Sequence, residues 1–522
     1  MHYATLHWLD YVIIFLSLVV SLWIGARFAK KQQSTKDYFA ASGSLPSWAI
    51  GMSLLATLIS SVTFLAYPGE GFSDNWILLV QGLMVPLILV GMIWFIVPLF
   101  RRVIGLSAYE YFEKRFGLFP RLYASLAFVL AHFSKMGTVF FLLALALANM
   151  TGANTFATIW VLGIIIIVLT LMGGIEAVIW LDVIQGFMLI GGGLICLGII
   201  LFSVEGGPAA VWEIASESGK TGFGPYDWDF KQLTFWVMAL NGVFYAIQKY
   251  GTDQTVVQRY LTARSDKSAI RASLMGVLLT VPLWALFMFI GTALFVFYQQ
   301  QPLPEGMRPD AVFPYFITTQ LPPGVTGLIL AALIAAAVSS LDSDLNCLAA
   351  VGVEDYYKRL RPHQQDQNYL KVGRWIVVLS GLGAIGVASL YLQAGDEGVL
   401  GIVFTLYAIF SGGIAGIFLL GLFSRRANLP GVTIGIIACI LFTAYSFLTS
   451  TRIGIGANKH LLLDFGAYNF TQHKYMLGVY SHLIVIGVGY VASLFYPKPD
   501  LDPKLFFHWP QRQAQRPQVV ES

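Results

Sequence analysis

Residues 334–347 read IAAAVSSLDSDLNC and place three serines, two aspartates and an asparagine in an otherwise apolar stretch. The three serines, Ser339, Ser340 and Ser343, follow Ala336 by three, four and seven residues. This spacing puts all four residues on one face of a helix. Hydroxyl and carbonyl oxygens are hard donors that suit a hard cation. The spacing therefore predicts a cation site, and the alternative is that these serines hydrogen-bond between packed membrane helices.

Two carboxylates accompany this polar face. Asp342 borders the face, and Asp182 lies in the apolar segment GGIEAVIWLDVIQG, about two turns into its predicted helix. A carboxylate inside a membrane is costly and usually functional. Together, Asp182, Ser339, Asp342 and Ser343 predict a second cation site. Two alternatives stay open: a proton replaces sodium there, or Asp182 is a structural hydrogen-bonding residue.

Two lysines lie at predicted membrane depth. Lys135, in AHFSKMGTVFF, either binds an anionic group of a substrate or pairs with a carboxylate such as Asp182 or Asp342. Lys249 lies where an apolar helix is interrupted, and its long side chain reaches either a central cavity or the membrane interface.

The composition predicts an all-α polytopic membrane protein that forms a single transmembrane domain over residues 1–522. Of its residues, 57% are hydrophobic and 11% are charged, whereas a soluble domain has roughly 25% charged residues. Apolar runs recur at the length that a helix needs to cross the hydrocarbon core. About thirteen spans are predicted, at 9–28, 48–68, 76–100, 122–149, 155–173, 175–203, 233–250, 272–298, 325–353, 373–393, 398–423, 430–449 and 476–496.

The loop charges predict the orientation in the membrane. One alternating set of connections, with the C-terminal tail, carries 24 lysines and arginines, and the opposite set carries six. Positive loops stay on the cytoplasmic side. The sequence thus predicts a multi-pass protein of the cytoplasmic membrane, with its N-terminus outside and its C-terminus inside.

Two predicted spans are interrupted by polar residues. The second contains four hydroxyl side chains at mid-depth, and the seventh is broken around Gln248, Lys249 and Gly251. Interrupted helices at matching places in two halves of a chain indicate an inverted-repeat transporter with its site at the membrane midplane.

Several function classes are disfavoured. No phosphate-binding loop of the Walker type is present, which argues against ATP-driven transport. No catalytic constellation or metal-ligand spacing is found among the three cysteines and eight histidines, so an enzyme is not expected. The expected partners are a small solute, sodium and the lipid bilayer, with no nucleic acid and no obligate protein partner.

Several segments resemble the sodium/solute symporter family, which includes sodium–glucose cotransporters and bacterial sialic acid symporters. They are GTDQTVVQRYLTARS, GGIEAVIWLDVIQG, AAVSSLDSDLN and FSGGIAGIFLLGLFSRRAN, in the family's order. The resemblance implies a leucine-transporter-type fold with two inverted five-helix repeats and sodium-driven alternating access. Its parts would be an extra N-terminal helix, the two repeats, two C-terminal helices and a cytoplasmic tail, at 8–30, 48–203, 233–423, 430–496 and 497–522.

The resemblance also implies where sodium binds. Sodium, the coupling ion, would be held by the carbonyls of Ala56, Ile59 and Ala336 and the hydroxyls of Ser339 and Ser340, with no organic cofactor. The second site of the sialic-acid-type members corresponds to Asp182, Ser339, Asp342 and Ser343. A serine is usual where this chain has Asp342.

Substrate positions follow from the same resemblance and from the polar pattern. Ser60, Thr63 and Lys135 match positions that bind sialic acid, where relatives carry an arginine in place of Lys135. Candidates from the residues themselves are Gln81, Phe244, Lys249 and Tyr250, with packing in the core as the alternative for the aromatic residues. A small organic anion such as sialic acid or a monocarboxylate is favoured. A neutral sugar or polyol, a proton-coupled transporter and a non-transporting sensor are the alternatives, and the short tail argues against the sensor.

Overall fold

The protein is a helical membrane bundle. The computed structural model describes residues 6–29, 32–392, 412–453, 460–500 and 502–507. Within those ranges, nine helices are each long and apolar enough to cross a membrane, and a tenth span is a pair of helices bent by 58°. This confirms the predicted polytopic all-α class.

The helices are numbered in chain order. Those of the first half are α1 (Trp8–Ala29), α2 (Thr35–Ala40), α3 (Ser47–Leu58), α4 (Ser61–Ser73), α5 (Leu79–Val103), α6 (Glu110–Phe116), α7 (Leu118–Thr151), α8 (Thr155–Ser203) and α9 (Gly207–Glu217). Those of the second half are α10 (Phe235–Gly251), α11 (Gln254–Thr262), α12 (Asp266–Gln300), α13 (Pro309–Gln320), α14 (Val325–Val351), α15 (Lys358–Leu360), α16 (Asp366–Tyr391), α17 (Ile414–Phe423), α18 (Leu429–Ser450) and α19 (Lys474–Ser493). A short antiparallel pair, β1 (Arg452–Ile453) and β2 (His460–Leu461), joins α18 to α19.

The second predicted span is broken at its centre. Helix α3 ends at Leu58, the next two residues are extended, and α4 begins at Ser61. The Ser60 hydroxyl accepts a hydrogen bond from the Val62 amide at 3.2 Å, which caps the new helix. The hydroxyl-rich sequence thus starts a second helix instead of extending the first.

The seventh predicted span, 233–250, is a continuous helix, and the chain breaks just after it instead of at the predicted place. Helix α10 continues through Lys249 to Gly251, and α11 begins at Gln254. Asp253 causes the break because its carboxylate accepts a hydrogen bond from the Thr255 amide at 2.8 Å and caps α11. The interruption therefore lies at the capping aspartate, just after the polar residues that predicted it.

Helix α8 is long enough for two membrane crossings. Its 49 residues would extend about 74 Å as one helix at 1.5 Å per residue, more than twice a hydrocarbon core of about 30 Å. Gly174 divides it with φ 54° and ψ −162°, a conformation that favours glycine. This turn separates the two spans predicted at 155–173 and 175–203.

The last part of the predicted topology is described only partly. The span expected at 398–423 is represented by α17, because residues 393–411 lie outside the described ranges. The same gap falls within the second predicted repeat, 233–423, and most of the tail at 497–522 is also outside. The total of thirteen spans, the repeat boundaries and the terminus orientation stay predictions.

Helix α14 lies at the centre of the bundle. It is buried along nearly its whole length, whereas α1 exposes most of its surface, including Phe15 and Trp23. Helix α14 packs against α1, α3, α7, α8 and α16. Its serines and aspartates therefore lie among other helices and not against lipid.

Gly71 is expected to be essential for the packing of α4 on α12. A β-carbon at this position would lie 2.2 Å from the Met288 carbonyl oxygen, a backbone atom that cannot rotate away. Gly71→Ala should therefore reduce stability by about 1–3 kcal/mol through overpacking, which thermal unfolding in detergent would detect. Gly91→Ala is the matched control, because a β-carbon there meets nothing within 4 Å. Equal melting temperatures for the two variants would contradict this packing.

Candidate functional site

The end of α3 presents backbone oxygens to the break. The Ile59 amide donates to the Leu55 carbonyl at 3.1 Å, and no further helical turn follows to use the carbonyls of Ala56 and later residues. A helix C-terminus also carries partial negative charge. The break therefore forms a concentration of acceptor oxygens that favours a cation.

Two serines of α14 meet these carbonyls. The Ser339 hydroxyl lies 3.0 Å from the Ala56 carbonyl oxygen and 3.2 Å from that of Ala336. Ser340 is completely buried, and its hydroxyl oxygen has no hydrogen-bond partner among the described residues. An unpaired buried hydroxyl costs about 1–3 kcal/mol. A bound sodium ion would use its lone pairs, and the donor set is of the hard kind that such an ion prefers.

Of the five predicted sodium ligands, the structure brings three into direct contact: Ala56, Ala336 and Ser339. The other two are close to these residues along the chain. Ile59 lies in the break after α3, and Ser340 follows Ser339 in α14. All five belong to two elements, α3 with its break and α14.

The predicted second site contains an arginine that was not among its predicted residues. Arg259 of α11 and Asp182 of α8 are both fully buried, with 3.1 Å between Nη2 and Oδ2. The guanidinium also donates to the Ser343 hydroxyl at 2.7 Å and the Ser53 hydroxyl at 2.8 Å. The Ser53 hydroxyl in turn lies 2.5 Å from Asp182. The Arg259 guanidinium thus already supplies a positive charge to this cluster.

The cluster retains unused acceptors. Oδ1 of Asp182 and Oδ2 of Asp342 are buried and have no hydrogen-bond partner in the described part of the chain. With both carboxylates ionised, Arg259 neutralises one of the two charges, and a second cation at Asp182, Asp342 and Ser343 stays a prediction.

Arg259 was missed because its segment resembles a cytoplasmic loop. QTVVQRYLT contains few strongly apolar residues, yet nearly all of α11 is buried. A signal was present in the sequence. Asp253 is a residue type that often caps helices, and Arg259 follows it by six residues, so a helix that begins at Asp253 includes Arg259.

Both candidate substrate lysines are paired with carboxylates. Nζ of Lys135 lies 3.0 Å from Asp344, so this lysine pairs with a carboxylate other than the expected Asp182 or Asp342. Nζ of Lys249 lies 2.7 Å from Asp253.

The remaining substrate candidates occupy different environments. Ser60 caps α4, and Thr63 is buried one turn further along the same helix. The Phe244 ring stacks on the ring of His482 with 5.1 Å between centroids. Gln81 is half-buried in α5, and Tyr250 is enclosed in the core. Their roles in substrate binding stay predictions.

A bundle in which a discontinuous helix presents carbonyls to the hydroxyls of a central helix is typical of secondary transporters with the leucine-transporter-type fold. The model of the sodium:solute symporter family matches residues 38–439, and the chain belongs to this family.

Individual relatives agree with this assignment. The chain is 34% identical over 491 residues to a sodium/sialic acid symporter of Aliivibrio fischeri, covering 93% of each protein. It is 35% identical over 440 residues to a sodium/sialic acid symporter of Proteus mirabilis, covering 83% of this chain and 88% of the relative. It is also 31% identical over 461 residues to the human sodium/iodide cotransporter, covering 85% and 70%.

Solved structures show the same fold. A substrate-bound, outward-open sodium-coupled sialic acid symporter superposes with a TM-score of 0.86 and 32% identity, covering 95% of this chain and 99% of that one. A nucleobase-cation-symport-1 family transporter in a closed conformation reaches a TM-score of 0.59 at 18% identity, covering 87% and 93%. The second likeness concerns the fold alone.

Proposed function

We propose that the protein is a sodium-driven symporter that imports a small organic anion by alternating access. The observation that carries this proposal is the contact between the interrupted α3 and the buried hydroxyls of α14, where Ser340 has an unused oxygen. Sodium is the coupling ion and the organic anion is the cargo.

Sodium would act by joining two helices that otherwise share few polar contacts. An ion held by Ala56, Ile59, Ala336, Ser339 and Ser340 bridges the break of α3 to α14, and this bridge favours one arrangement of the bundle. Coupling arises because ion and solute together stabilise states that neither stabilises alone. Each sodium that enters also gains about 2.3 kcal/mol per 100 mV of membrane potential.

The substrate class rests on two observations. Two relatives that cover more than four-fifths of the chain are named for sialic acid. Lys135 supplies a cationic group of which 24% of the side chain is accessible. A sugar acid or a monocarboxylate fits such a group, although lysine lacks the planar fork of arginine.

A neutral sugar or polyol is the second candidate. Its support is the ion pair between Lys135 and Asp344, which leaves no net charge at that position.

The membrane orientation that we propose has the N-terminus outside and the C-terminus in the cytoplasm, as the loop charges predict.

Uptake into proteoliposomes tests the function. An inward sodium gradient should drive accumulation of radiolabelled N-acetylneuraminate, and replacing sodium by choline at constant pH should abolish it. Uptake that is undiminished in choline would contradict sodium coupling and favour a proton. A labelled neutral hexose, measured in parallel, separates the two substrate candidates because only one of them should accumulate.

A further inference from the structure

Five charged or titratable side chains form a continuous and largely buried network beside the break between α10 and α11. They come from three helical regions: His132 and Lys135 from α7, Asp344 from α14, and Lys249 and Asp253 from the α10–α11 break. None of them belongs to the proposed sodium ligands. A chain of buried ionic contacts requires an explanation, because such groups are expensive to desolvate.

Each residue of the network contacts the next, so that the five form a single chain of contacts. Nζ of Lys135 lies 3.0 Å from Asp344 Oδ2, and Asp344 Oδ1 lies 2.9 Å from His132 Nδ1. The other ring nitrogen of His132 lies 3.4 Å from Asp253, which Lys249 contacts at 2.7 Å. His132 therefore stands between the two lysine–aspartate pairs.

Accessibility differs sharply along the network. Lys135 has 24% of its side chain accessible, whereas the other four members have at most 9%. Lys135 is therefore the most accessible member of the network, and its partner Asp344 is completely buried.

We propose that Asp344 forms an ion pair with Lys135 when substrate is absent, and that this pair separates when an anionic solute binds to Lys135. The inference rests on the proposed function, since it concerns how that solute is selected. A carboxylate substrate must compete with Asp344, whereas a neutral solute has no such competitor. Asp344 thereby sets how strongly the transporter prefers an acid over its neutral counterpart.

His132 makes this exchange feasible. A buried aspartate that lost its only partner would be left as an unpaired charge, which is strongly unfavourable. Asp344 keeps its 2.9 Å contact with His132 when Lys135 turns to the solute. His132 is thus a positioning residue that supports the exchange without touching the substrate.

The test compares how tightly an acid and its ester bind to the purified full-length protein in the presence of sodium. N-acetylneuraminate and its methyl ester are the probes, and the measured quantity is the ratio of their dissociation constants. Asp344→Asn should shift this ratio about tenfold toward the acid, as expected if Asp344 leaves only a tenth of Lys135 free. His132→Leu should shift the ratio in the opposite direction, because Asp344 then loses its second partner.

Two further variants complete the design. Lys135→Met should bring the ratio to the same value whether residue 344 is Asp or Asn, because no cation remains to be contested. Asp310→Asn is the matched control, since Asp310 pairs with Arg308 on the exposed start of α13. It should leave the ratio unchanged. A rise in melting temperature on adding sodium shows for each variant that the fold and ion site persist.

The outcomes separate the two proposals. If wild type binds the acid in sodium but Asp344→Asn leaves the ratio unchanged, Asp344 is not a competitor and the inference is overturned while the function stands. If wild type binds neither probe in sodium, the proposed substrate class is wrong and the inference is overturned with it.

Discussion

Ser340→Ala is expected to raise the sodium concentration for half-maximal uptake at least tenfold while leaving the protein folded. The Ser340 hydroxyl is buried and has no partner among the described residues, so its removal breaks no internal hydrogen bond. What is lost is a contact to a charged species, worth about 1.5–3 kcal/mol, and each 1.4 kcal/mol is tenfold in affinity. Initial uptake rates over a series of sodium concentrations provide the measurement.

Ser446→Ala is the control for this variant. Ser446, in α18, is likewise buried with a hydroxyl that lacks a partner in the described ranges, but it lies on a different helix from the predicted ligands. Its removal should leave the sodium requirement unchanged. The assignment of Ser340 fails if Ser340→Ala retains the sodium dependence of wild type, or if both serine variants change it equally.

Arg259→Leu is expected to cause the largest loss of stability of any single substitution considered. Arg259 and Asp182 have no accessible side-chain surface, and the guanidinium also bonds to Ser53 and Ser343. Removing one member of a buried ion pair leaves an uncompensated charge and costs about 3–5 kcal/mol. Thermal unfolding in detergent, with the yield of folded protein, should show this loss.

Companion variants identify charge as the cause. Arg259→Lys retains the positive charge and should lose less stability, although it cannot reproduce the fork that reaches four partners. Adding Asp182→Asn to Arg259→Leu should recover part of the loss, because one of the unpaired carboxylates is then neutral. If the double variant were no more stable than Arg259→Leu, repulsion between carboxylates would not explain the effect.

The polar face of α14 was predictable from periodicity. The spacing of Ala336, Ser339 and Ser340 defines one helix face, and α14 buries that face as expected. The polar residues around Ser60 indicated an interruption in a membrane span, and the helix does break there. These features are local, since each depends on residues within a few turns of one another.

Pairings between distant segments were not predictable in the same way. Lys135 and Asp344 are 209 residues apart, and Arg259 and Asp182 are 77 apart. Helical spacing tells which face a charged residue occupies, but the choice among several nearby carboxylates depends on how the helices pack. For that reason the spacing left the partner of Lys135 open, and it did not indicate that Arg259 reaches Asp182.

The central claim is that sodium bridges the interrupted α3 and the serines of α14. A difference map between crystals kept in sodium and in choline tests it most directly. A peak should appear in sodium among the oxygens of Ala56, Ile59, Ala336, Ser339 and Ser340, and it should vanish in choline. A map in which α3 and α4 form one unbroken helix, or in which sodium leaves no peak among these five oxygens, would contradict the account.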